Sequence, residues 1–373
     1  MIEKKNEWKF LLSICSNFVL KNIDLNLIFS SVKKNFNWDD FYYLTNNNRV
    51  NSIVYNVLEK NNDFDVPDFI LDKMKEQSQL ILNNSLIQVN ELVKITKILN
   101  SNNIDFIPYK GITLSHFIYQ NIGNRSSNDL DLMIDVNDID KVKNLLHQNN
   151  YVISDDLSPI LYKSHITNNC EISIKKELRN QFIYIDTHWR ISNLILQMNI
   201  GIIEMKNESK SIDFFGTKIN HLNNEAIYII LAMHHFGKEK MDLKQVVDLC
   251  KVIKRNENEF DWVKFVSLSK KWKVFKLTLY SLKICKELIK IDLPIELIKL
   301  IDKNCDQKFI NDYLVAINKS KGKYDKDGKE TFFRRIKLHL KIRDDFSTKF
   351  KIIYHHFIAF FIPKDIDFKT PKK

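Results

Sequence analysis

The sequence predicts an α+β protein in which a central core of strands and helices is flanked by an N-terminal and a C-terminal helical region. Apolar residues recur every three or four positions up to about residue 98 and again beyond residue 220, whereas β-rich runs are concentrated in residues 104–191. Only 7 Gly and 6 Pro occur in 373 residues, which favours long helices over many turns. We therefore expect helical regions at residues 1–98 and 201–373 and a core at residues 99–200.

The N-terminal region shows helical periodicity near both of its ends. The apolar positions with this spacing are Trp8, Leu11, Leu12, Cys15, Phe18 and Val19, and later Leu86, Val89, Leu92, Ile95 and Leu99. Polar stretches at residues 46–48 and 61–67 are expected to connect helices. Because no pattern of reactive residues occurs here, we predict a helical cover that packs against the core.

The core begins with a predicted strand, turn and helix. Residues 106–109 have the pattern of a short strand, Lys110 and Gly111 interrupt it, and residues 112–119 have a helical pattern. Glycine allows a ligand to approach the backbone closely, and the first N–H groups of a helix favour an anion. The turn is therefore a candidate phosphate site, with simple turn chemistry as the alternative.

The next predicted strand carries two aspartates. Asp129 and Asp131 flank Leu130, so alternation along the strand places both carboxylates on one face and turns Leu130 towards the core. Two close carboxylates repel each other unless a cation lies between them, and Mg²⁺ with its preference for oxygen ligands suits the pair. The alternative is a solvent-facing strand with acidic alternate positions. The apolar residues 132–134 that follow favour the metal site.

A third acid lies in a predicted β-hairpin. Residues 170–175 and 181–190 are β-rich runs that a short polar connection separates. Asp186 is in the second run and shares a face with His188 by alternation. Two interpretations remain open. Asp186 is a structural acid paired with Arg190 or His188, or it completes a three-carboxylate site if its strand neighbours that of the paired aspartates.

The C-terminal region again shows helical spacing. The helical runs are residues 224–236, 243–253, 262–272, 277–289 and 295–301. His234 and His235 suggest a metal site, but adjacent residues on a helix point about 100° apart and do not easily share one ion. We expect them to be core or capping residues.

A basic run follows at residues 332–362. Its cations are interspersed with Phe, Ile and Leu and include Arg334, Arg335, Lys337, Lys341 and Arg343. Such a helix can lie on an anionic membrane or on nucleic acid. We favour the solvated face of an ordinary packing helix and do not expect peripheral membrane contact.

Composition sets the remaining limits. The formal net charge of +11 suits an anionic partner such as a nucleotide or nucleic acid, although Lys, Asn and Ile are abundant along the whole chain. The 5 cysteines are scattered without a Cys-x-x-Cys spacing, so the pattern indicates neither a zinc site nor a disulfide framework. No secretory signal or long apolar span is evident, and we expect a cytoplasmic protein.

Taken in order, these motifs resemble those of a known family. The segments are Tyr-Lys-Gly at 109–111, Gly-Asn-Arg at 123–125, Asn-Asp-Leu-Asp-Leu at 128–132 and Ile-Asp-Thr-His-Trp-Arg at 185–190. They are similar to those of the uncharacterised bacterial nucleotidyltransferase family of the polymerase-β-like nucleotidyltransferase superfamily. The likeness extends from about residue 5 to residue 260 and includes His234 and residues 243–248.

The resemblance implies a small mixed β-sheet as the nucleotidyltransferase core and a two-metal reaction. In that reaction an NMP, with ATP as the expected NTP, passes to a hydroxyl or similar acceptor and pyrophosphate is released. The catalytic and metal-binding residues would be Asp129, Asp131 and Asp186, with Mg²⁺ or alternatively Mn²⁺. The residues that bind the nucleotide phosphates would be Lys110, Gly111 and Arg125. Ile112 departs from the pattern, because a Ser often contacts the triphosphate there.

Two other functions remain open. One is a nucleotide-binding or regulatory module that keeps the fold without turnover. The other is an RNA-end nucleotidyltransferase, which is the minority interpretation because no RNA-binding aromatic motif or concentrated basic stripe accompanies the acids. The acceptor, whether small molecule, peptide or protein, and the oligomeric state do not follow from the sequence.

Overall fold

The structure is a computed structural model that describes residues 5–153, 159–178, 181–193, 197–198, 200–237, 242–255, 260–319 and 336–358. Its helices in the N-terminal half are α1 (Lys5–Leu20), α2 (Leu25–Val32), α3 (Trp38–Asn47), α4 (Asn51–Leu58), α5 (Asp68–Ser101), α6 (Ile112–Phe117), α7 (Ile139–Gln148) and α8 (Pro159–Asn168). Those that follow are α9 (Ile202–Lys206), α10 (Asn224–Gly237), α11 (Leu243–Lys254), α12 (Trp262–Lys271), α13 (Phe275–Ile289), α14 (Ile295–Asn304), α15 (Gln307–Lys319) and α16 (Phe346–Ile358). The strands are β1 (Phe106–Pro108), β2 (Asp129–Ile134), β3 (Val152–Ile153), β4 (Glu171–Leu178), β5 (Gln181–His188), β6 (Ser209–Phe214) and β7 (Thr217–Leu222).

Helices α1 to α5 form the N-terminal region, as the periodicity predicts. The longest, α5, has 34 residues and contains neither Gly nor Pro. Pro67 occupies its N-cap position, and Asn103 lies just beyond its end with a positive φ of 52°. An aromatic cluster centred on Phe10 and Phe29 joins α1 to α2. The connection predicted at residues 61–67 is confirmed, whereas α3 extends to Asn47, so that only Asn48 of the connection predicted at residues 46–48 lies outside a helix.

The core contains a five-stranded mixed sheet with the order β1-β2-β5-β4-β3. Strands β2 and β5 are parallel, and the other neighbouring pairs are antiparallel. Strands β4 and β5 form the hairpin that the sequence predicts. The chain is thus an α+β protein with a small mixed sheet between helical regions, as expected.

Apolar side chains on the two faces of the sheet belong to two separate clusters. Leu130, Leu132 and Ile185 pack with α5 and α7 in one cluster. Met133 of β2 belongs to the other cluster, which joins the N-terminal and C-terminal helical regions. Side chains of a strand alternate between faces, so Asp129 and Asp131 share the second face with Met133. The paired acids therefore face the helices that cover this side of the sheet.

The C-terminal region is not entirely helical. Strands β6 and β7 form an antiparallel hairpin with Ile212 opposite Ile219. The turn consists of Phe215 and Gly216, which have φ values of 47° and 78° and so match the two-residue turns that suit a hairpin. Strand β7 lies against β1 and α5. Only two apolar residues alternate in β6, a signal too short to distinguish the hairpin from a connection.

Helices α10 to α14 confirm the predicted C-terminal helices. The basic run that follows differs from the expected solvated face, since Arg343 is fully buried and Lys341 contacts Asp306 at 2.6 Å. Arg334 and Arg335 lie outside the described residues. No helix in the described part of the chain combines the length and apolar character that crossing a membrane requires.

Candidate active site

The strand register brings two of the predicted acids together. Asp131 of β2 and Asp186 of β5 are direct partners in the parallel pair, and Asp129 is the partner of Tyr184. Adjacent strands lie about 4.8 Å apart, and partners in register project to the same face. The condition for the second interpretation of Asp186, that its strand neighbours that of the paired aspartates, is therefore met. All three acids line one cavity of about 230 Å³.

Asp131 is buried and contacts two basic side chains. Its Oδ1 atom lies 2.7 Å from Lys110 Nζ and 3.1 Å from His188 Nε2. Burial raises the pKa of Asp131, but Lys110 and His188 outweigh that effect and hold the pKa well below its ordinary value. The carboxylate is therefore charged, which metal binding requires.

His188 lies between two carboxylates. Its Nδ1 atom is 3.1 Å from Glu171 Oε2, on the opposite side of the ring from Asp131. Burial lowers the pKa of His188, but Glu171 and the hydrogen bond to Asp131 outweigh it and raise the pKa to about 10. The sequence placed His188 on the face of Asp186, whereas Glu171 was missed because only the β4–β5 register brings it here.

Asp186 is held by the neighbouring strand. Ser173 is its partner in β4, and Ser173 Oγ donates a hydrogen bond of 2.5 Å to Asp186 Oδ1. Arg190 donates to the carbonyl groups of Ile166 and Thr167 at 2.8 and 3.1 Å, at the end of α8. Strand pairing with β4 therefore positions Asp186 in the cavity. Arg190, the partner that the structural interpretation gave it, binds the carbonyl groups of α8.

The Gly111 turn has a conformation that only glycine adopts readily. Its φ is 60° and its ψ is −127°. A Cβ atom would lie 2.9 Å from the carbonyl oxygen of Asp129 and 3.0 Å from Ser127 Oγ. The absence of a side chain at Gly111 therefore lets this turn approach β2 closely. The ammonium group of the adjacent Lys110 then lies beside Asp131.

We expect Gly111→Ala to lower the free energy of unfolding by about 3 kcal/mol, the upper end for a residue forced into a sparsely populated backbone region. Gly216→Ala is the matched control, since Gly216 also has a positive φ but no atom lies within 4 Å of its would-be Cβ. Strain alone should cost the control about 1 kcal/mol. Urea denaturation measures both, and equal losses would show that the contact with β2 is unimportant.

Arg125 is part of a buried ion pair with the C-terminal region. Its Nε and Nη2 atoms donate to Oδ1 and Oδ2 of Asp248 at 2.8 and 3.0 Å, and Nη1 donates to the Gly111 carbonyl at 3.2 Å. Tyr119 also donates to Asp248, at 2.6 Å. Burial raises the pKa of Asp248, but Arg125 outweighs it and lowers the pKa. Arg125 lines the cavity and at the same time joins the Gly111 turn to α11.

Two cations outside the predicted core also line the cavity. Lys244 begins α11, and its Nζ atom donates to the Ser126 carbonyl at 2.9 Å. Arg49 comes from the connection between α3 and α4 and pairs with Asp242. Lys244 is 6% exposed, and the carboxylates that act on it, Asp248 and Asp242, form ion pairs with Arg125 and Arg49 instead. The N-terminal region thus contributes to the site, contrary to the prediction of a cover without chemistry.

Lys244 is an unusual lysine because of these surroundings. Burial is the main cause that lowers its pKa, to about 7, and Arg125 and Arg49 lower it further. Lys244 and Asp248 are four residues apart on α11 and share one helix face. The family likeness includes residues 243–248. The four-residue spacing of Lys244 and Asp248 within that segment is the sequence signal that could have identified Lys244 as a site residue.

Both histidines of α10 line the cavity. His234 Nδ1 lies 3.3 Å from Lys110 Nζ, and burial lowers the pKa of His235 to about 3. His235 is buried, as expected for a core residue, whereas His234 lies beside Lys110. The cavity is therefore lined by three acids, Asp129, Asp131 and Asp186, and by cations that include Lys244.

The donor set of the three acids suits a hard divalent cation. Carboxylate oxygens are the ligands that Mg²⁺ prefers, and nitrogen and sulfur ligands are not needed. Asp131 is charged, and its closest cation is Lys110, which an ion would replace. The residues therefore fit the metal that the resemblance implies.

Solved structures that are similar to this chain include nucleotidyltransferases. One is ANT(2")-Ia in complex with adenylyl-2"-tobramycin, which is 11% identical, covers 50% of this chain and 97% of its own, and has a TM-score of 0.35. Another is an antigenic nucleotidyltransferase-like protein from Paracoccidioides brasiliensis, with 16% identity, 53% and 88% coverage and a TM-score of 0.28. No curated protein matches the sequence.

The family assignment comes from the sequence itself. The family described as "Uncharacterised nucleotidyltransferase" matches residues 34–290. The chain belongs to this nucleotidyltransferase family. The matched residues extend from α3 to the end of α13 and contain every residue of the cavity described above.

Proposed function

We propose that this protein transfers an NMP from an NTP to a hydroxyl or similar acceptor and releases pyrophosphate. The observation that carries the proposal is the register of β2 and β5, which puts Asp131 beside Asp186 in a cavity that also contains buried cations. The acids suit metal ions, and the cations suit a polyphosphate. A small molecule, peptide or protein can serve as acceptor.

In this proposal Asp129, Asp131 and Asp186 hold two Mg²⁺ ions, with Mn²⁺ as an alternative. The ions would neutralise the α-phosphate and stabilise the attacking and leaving oxygens. Asp186 also accepts the proton of the acceptor hydroxyl, and the hydrogen bond from Ser173 fixes its orientation. In this structure Lys110 and His188 neutralise Asp131. A bound metal would take over the role of Lys110, whereas His188 would keep its hydrogen bond to Asp131.

The phosphate site is proposed to combine residues from three parts of the chain. The Gly111 turn would lie next to the phosphates, and Lys110 would supply positive charge to them if a metal took its place at Asp131. Arg125 adds positive charge and orients the Gly111 carbonyl, since its donors already bind that carbonyl and Asp248. Lys244 contacts the β- or γ-phosphate directly, because a buried ammonium group whose neighbouring carboxylates are paired with arginines favours an anion.

The reaction class can be tested with labelled nucleotides before the acceptor is identified. The protein is incubated with cell-extract fractions, Mg²⁺ and each NTP, labelled at either the α- or the γ-phosphate. We expect the label to join an acceptor only from the α-labelled NTP. Transfer from the γ-labelled NTP would show phosphoryl transfer, and tight NTP binding without transfer across all fractions would favour the non-catalytic binding module.

The role of Lys244 predicts a proton uptake that accompanies binding. At pH 8 a lysine with a pKa of about 7 is mostly neutral, and a bound phosphate would favour its charged form. Arg125 and Arg49 disfavour that charge in the free protein, whereas Asp248 and Asp242 favour it. Titration calorimetry of Mg-ATP at pH 8 in buffers of different ionisation enthalpy should therefore detect uptake of a fraction of a proton.

Lys244→Arg should abolish this uptake, because arginine remains charged at pH 8. Lys244→Ala should weaken ATP binding about 10- to 100-fold, as expected for a lost hydrogen bond to a charged group. Lys251→Arg is the control, since the pKa of Lys251 is also lowered by burial but its ammonium group lies over the Phe18 ring. Undiminished uptake in Lys244→Arg would exclude the phosphate contact.

A further inference from the structure

Three side chains at the edge of the cavity have a donor set that differs from that of the acids. The ligand atoms of Cys170, Glu171 and His188 all lie within 4.8 Å of one another. His188 is buried, and the other two side chains are partly exposed. The set therefore offers one sulfur, one oxygen and one nitrogen atom, and solvent can reach it from one side.

Strand pairing holds these residues in place. Glu171 and His188 are direct partners in the antiparallel pair of β4 and β5. The N–H group of Trp189 donates to the Cys170 carbonyl at 3.0 Å, and His165 Nε2 lies 2.9 Å from the Glu171 carbonyl. Strand pairing and hydrogen bonds therefore hold the backbone of these residues, and the partly exposed side chains of Cys170 and Glu171 have more room to rotate than the buried His188.

The donor set favours a transition metal over Mg²⁺. Thiolate and imidazole ligands suit Zn²⁺ and similar ions, whereas Mg²⁺ requires oxygen ligands in octahedral geometry. Ligand atoms around a tetrahedral Zn²⁺ lie roughly 3.3–3.7 Å apart, given bond lengths of about 2.0–2.3 Å. Separations of up to 4.8 Å are therefore closed by small side-chain rotations of the partly exposed Cys170 and Glu171.

The surroundings of His188 match those of a metal-bound histidine. Its Nδ1 atom faces Glu171 at 3.1 Å, and its Nε2 atom lies 3.1 Å from Asp131 Oδ1. A histidine that binds a metal through one ring nitrogen usually donates the other N–H to a carboxylate, which fixes the ring and its tautomer. Asp131 is in the position of that carboxylate.

We propose that Cys170, Glu171 and His188 bind one Zn²⁺ ion, or a similar transition-metal ion, with solvent as the fourth ligand and Asp131 as the hydrogen-bond partner of His188. The site is separate from the proposed Mg²⁺ site but shares Asp131 with it. Cysteine spacing could not reveal this site, because only one Cys contributes. Glu171 follows that Cys directly, and strand pairing brings His188 next to Glu171.

The test uses Co²⁺ as a spectroscopic probe in the presence of excess Mg²⁺, which fills the carboxylate site. We expect one equivalent of Co²⁺ to produce a thiolate-to-cobalt charge-transfer band that Zn²⁺ then abolishes. Cys170→Ala should lose the band and bind Zn²⁺ at least about 100-fold more weakly. Loss of a hydrogen-bond partner of a ligand already lowers metal affinity about 10- to 100-fold, and loss of the ligand itself should lower it at least as much. Cys305→Ala, another partly buried cysteine, should keep the band.

Absence of the band in the native protein, or its persistence in Cys170→Ala, would overturn the site. A second measurement needs no variant: Zn²⁺ should slow alkylation of Cys170 but not of Cys305 in the Mg²⁺-saturated protein, as mapped by mass spectrometry. Equal alkylation rates with and without Zn²⁺ would also overturn it. Asp129→Asn should retain the Co²⁺ spectrum, so failure of the proposed transfer reaction can be distinguished from failure of this site.

Discussion

Asp131→Asn is expected to lower the rate of nucleotidyl transfer by at least about 10³-fold. The change removes a charged ligand shared by the metal ions, and catalysis of such a reaction depends mainly on electrostatic stabilisation at the reacting phosphate. The labelled-nucleotide assay measures it as kcat/KM. Asp105→Asn is the control, because Asp105 forms an exposed ion pair with Lys206 and such pairs contribute little. Activity of Asp131→Asn within tenfold of that of the native protein would show that Asp131 is not a catalytic metal ligand.

The same substitution is expected to destabilise the protein. Lys110 and His188 would lose their shared carboxylate in a buried site, and breaking a buried ion pair typically costs about 3–5 kcal/mol. The pKa of Asp131 is lower in the folded state than its ordinary value of 3.8. Its contribution is therefore present above about pH 3.8 and is lost as the pH falls towards the folded-state pKa. Urea denaturation in EDTA at pH 7 and pH 3 should show a smaller difference between the two proteins at pH 3.

The central part of the fold was accessible from the sequence because local patterns determine it. Alternation in residues 129–134 and 181–188 established which side chains share a face, and the short polar connection indicated the hairpin. Whether Asp186 joins Asp131 depended on one further fact, the parallel pairing of β2 with β5. That pairing connects residues more than 50 positions apart, and no local pattern specifies it.

The cations of the site show where sequence reasoning fails. Arg49 follows a helix whose periodicity indicates only packing, and Lys244 begins another such helix. Their function depends on how the two helical regions close over the sheet. Long-range packing also explains Arg343, which has the pattern of a surface residue in a basic helix but is fully buried. Glu171 was missed because its contact with His188 depends on the register of β4 with β5.

The ion pair between Arg125 and Asp248 shows how this packing controls the cavity. Asp248 is fully buried on α11 and accepts from Arg125 and Tyr119. Arg125 in turn donates to the carbonyl of Gly111, whose turn carries Lys110. The position of α11 is therefore linked to the Gly111 turn through a single side chain, although the two segments are far apart in sequence.

Asp248→Asn is accordingly expected to lower the free energy of unfolding by about 3–5 kcal/mol, because it leaves the Arg125 guanidinium buried without a countercharge. Asp65→Asn is the matched control, as Asp65 pairs with Lys33 where both side chains are more than half exposed, and the loss should be below about 1 kcal/mol. Chemical denaturation measures both. Similar losses in the two variants would show that the buried pair does not join the core to α11.

The double substitution Arg125→Met with Asp248→Leu separates stability from function. Replacing both members of a buried pair by apolar residues of similar size is often neutral or stabilising, so most of the lost stability should return. Nucleotide binding should be weaker than in the native protein, because the guanidinium that orients the Gly111 carbonyl and adds positive charge to the cavity is absent. Recovery of both stability and Mg-ATP affinity, measured by calorimetry, would show that Arg125 serves only to join the helical region to the sheet.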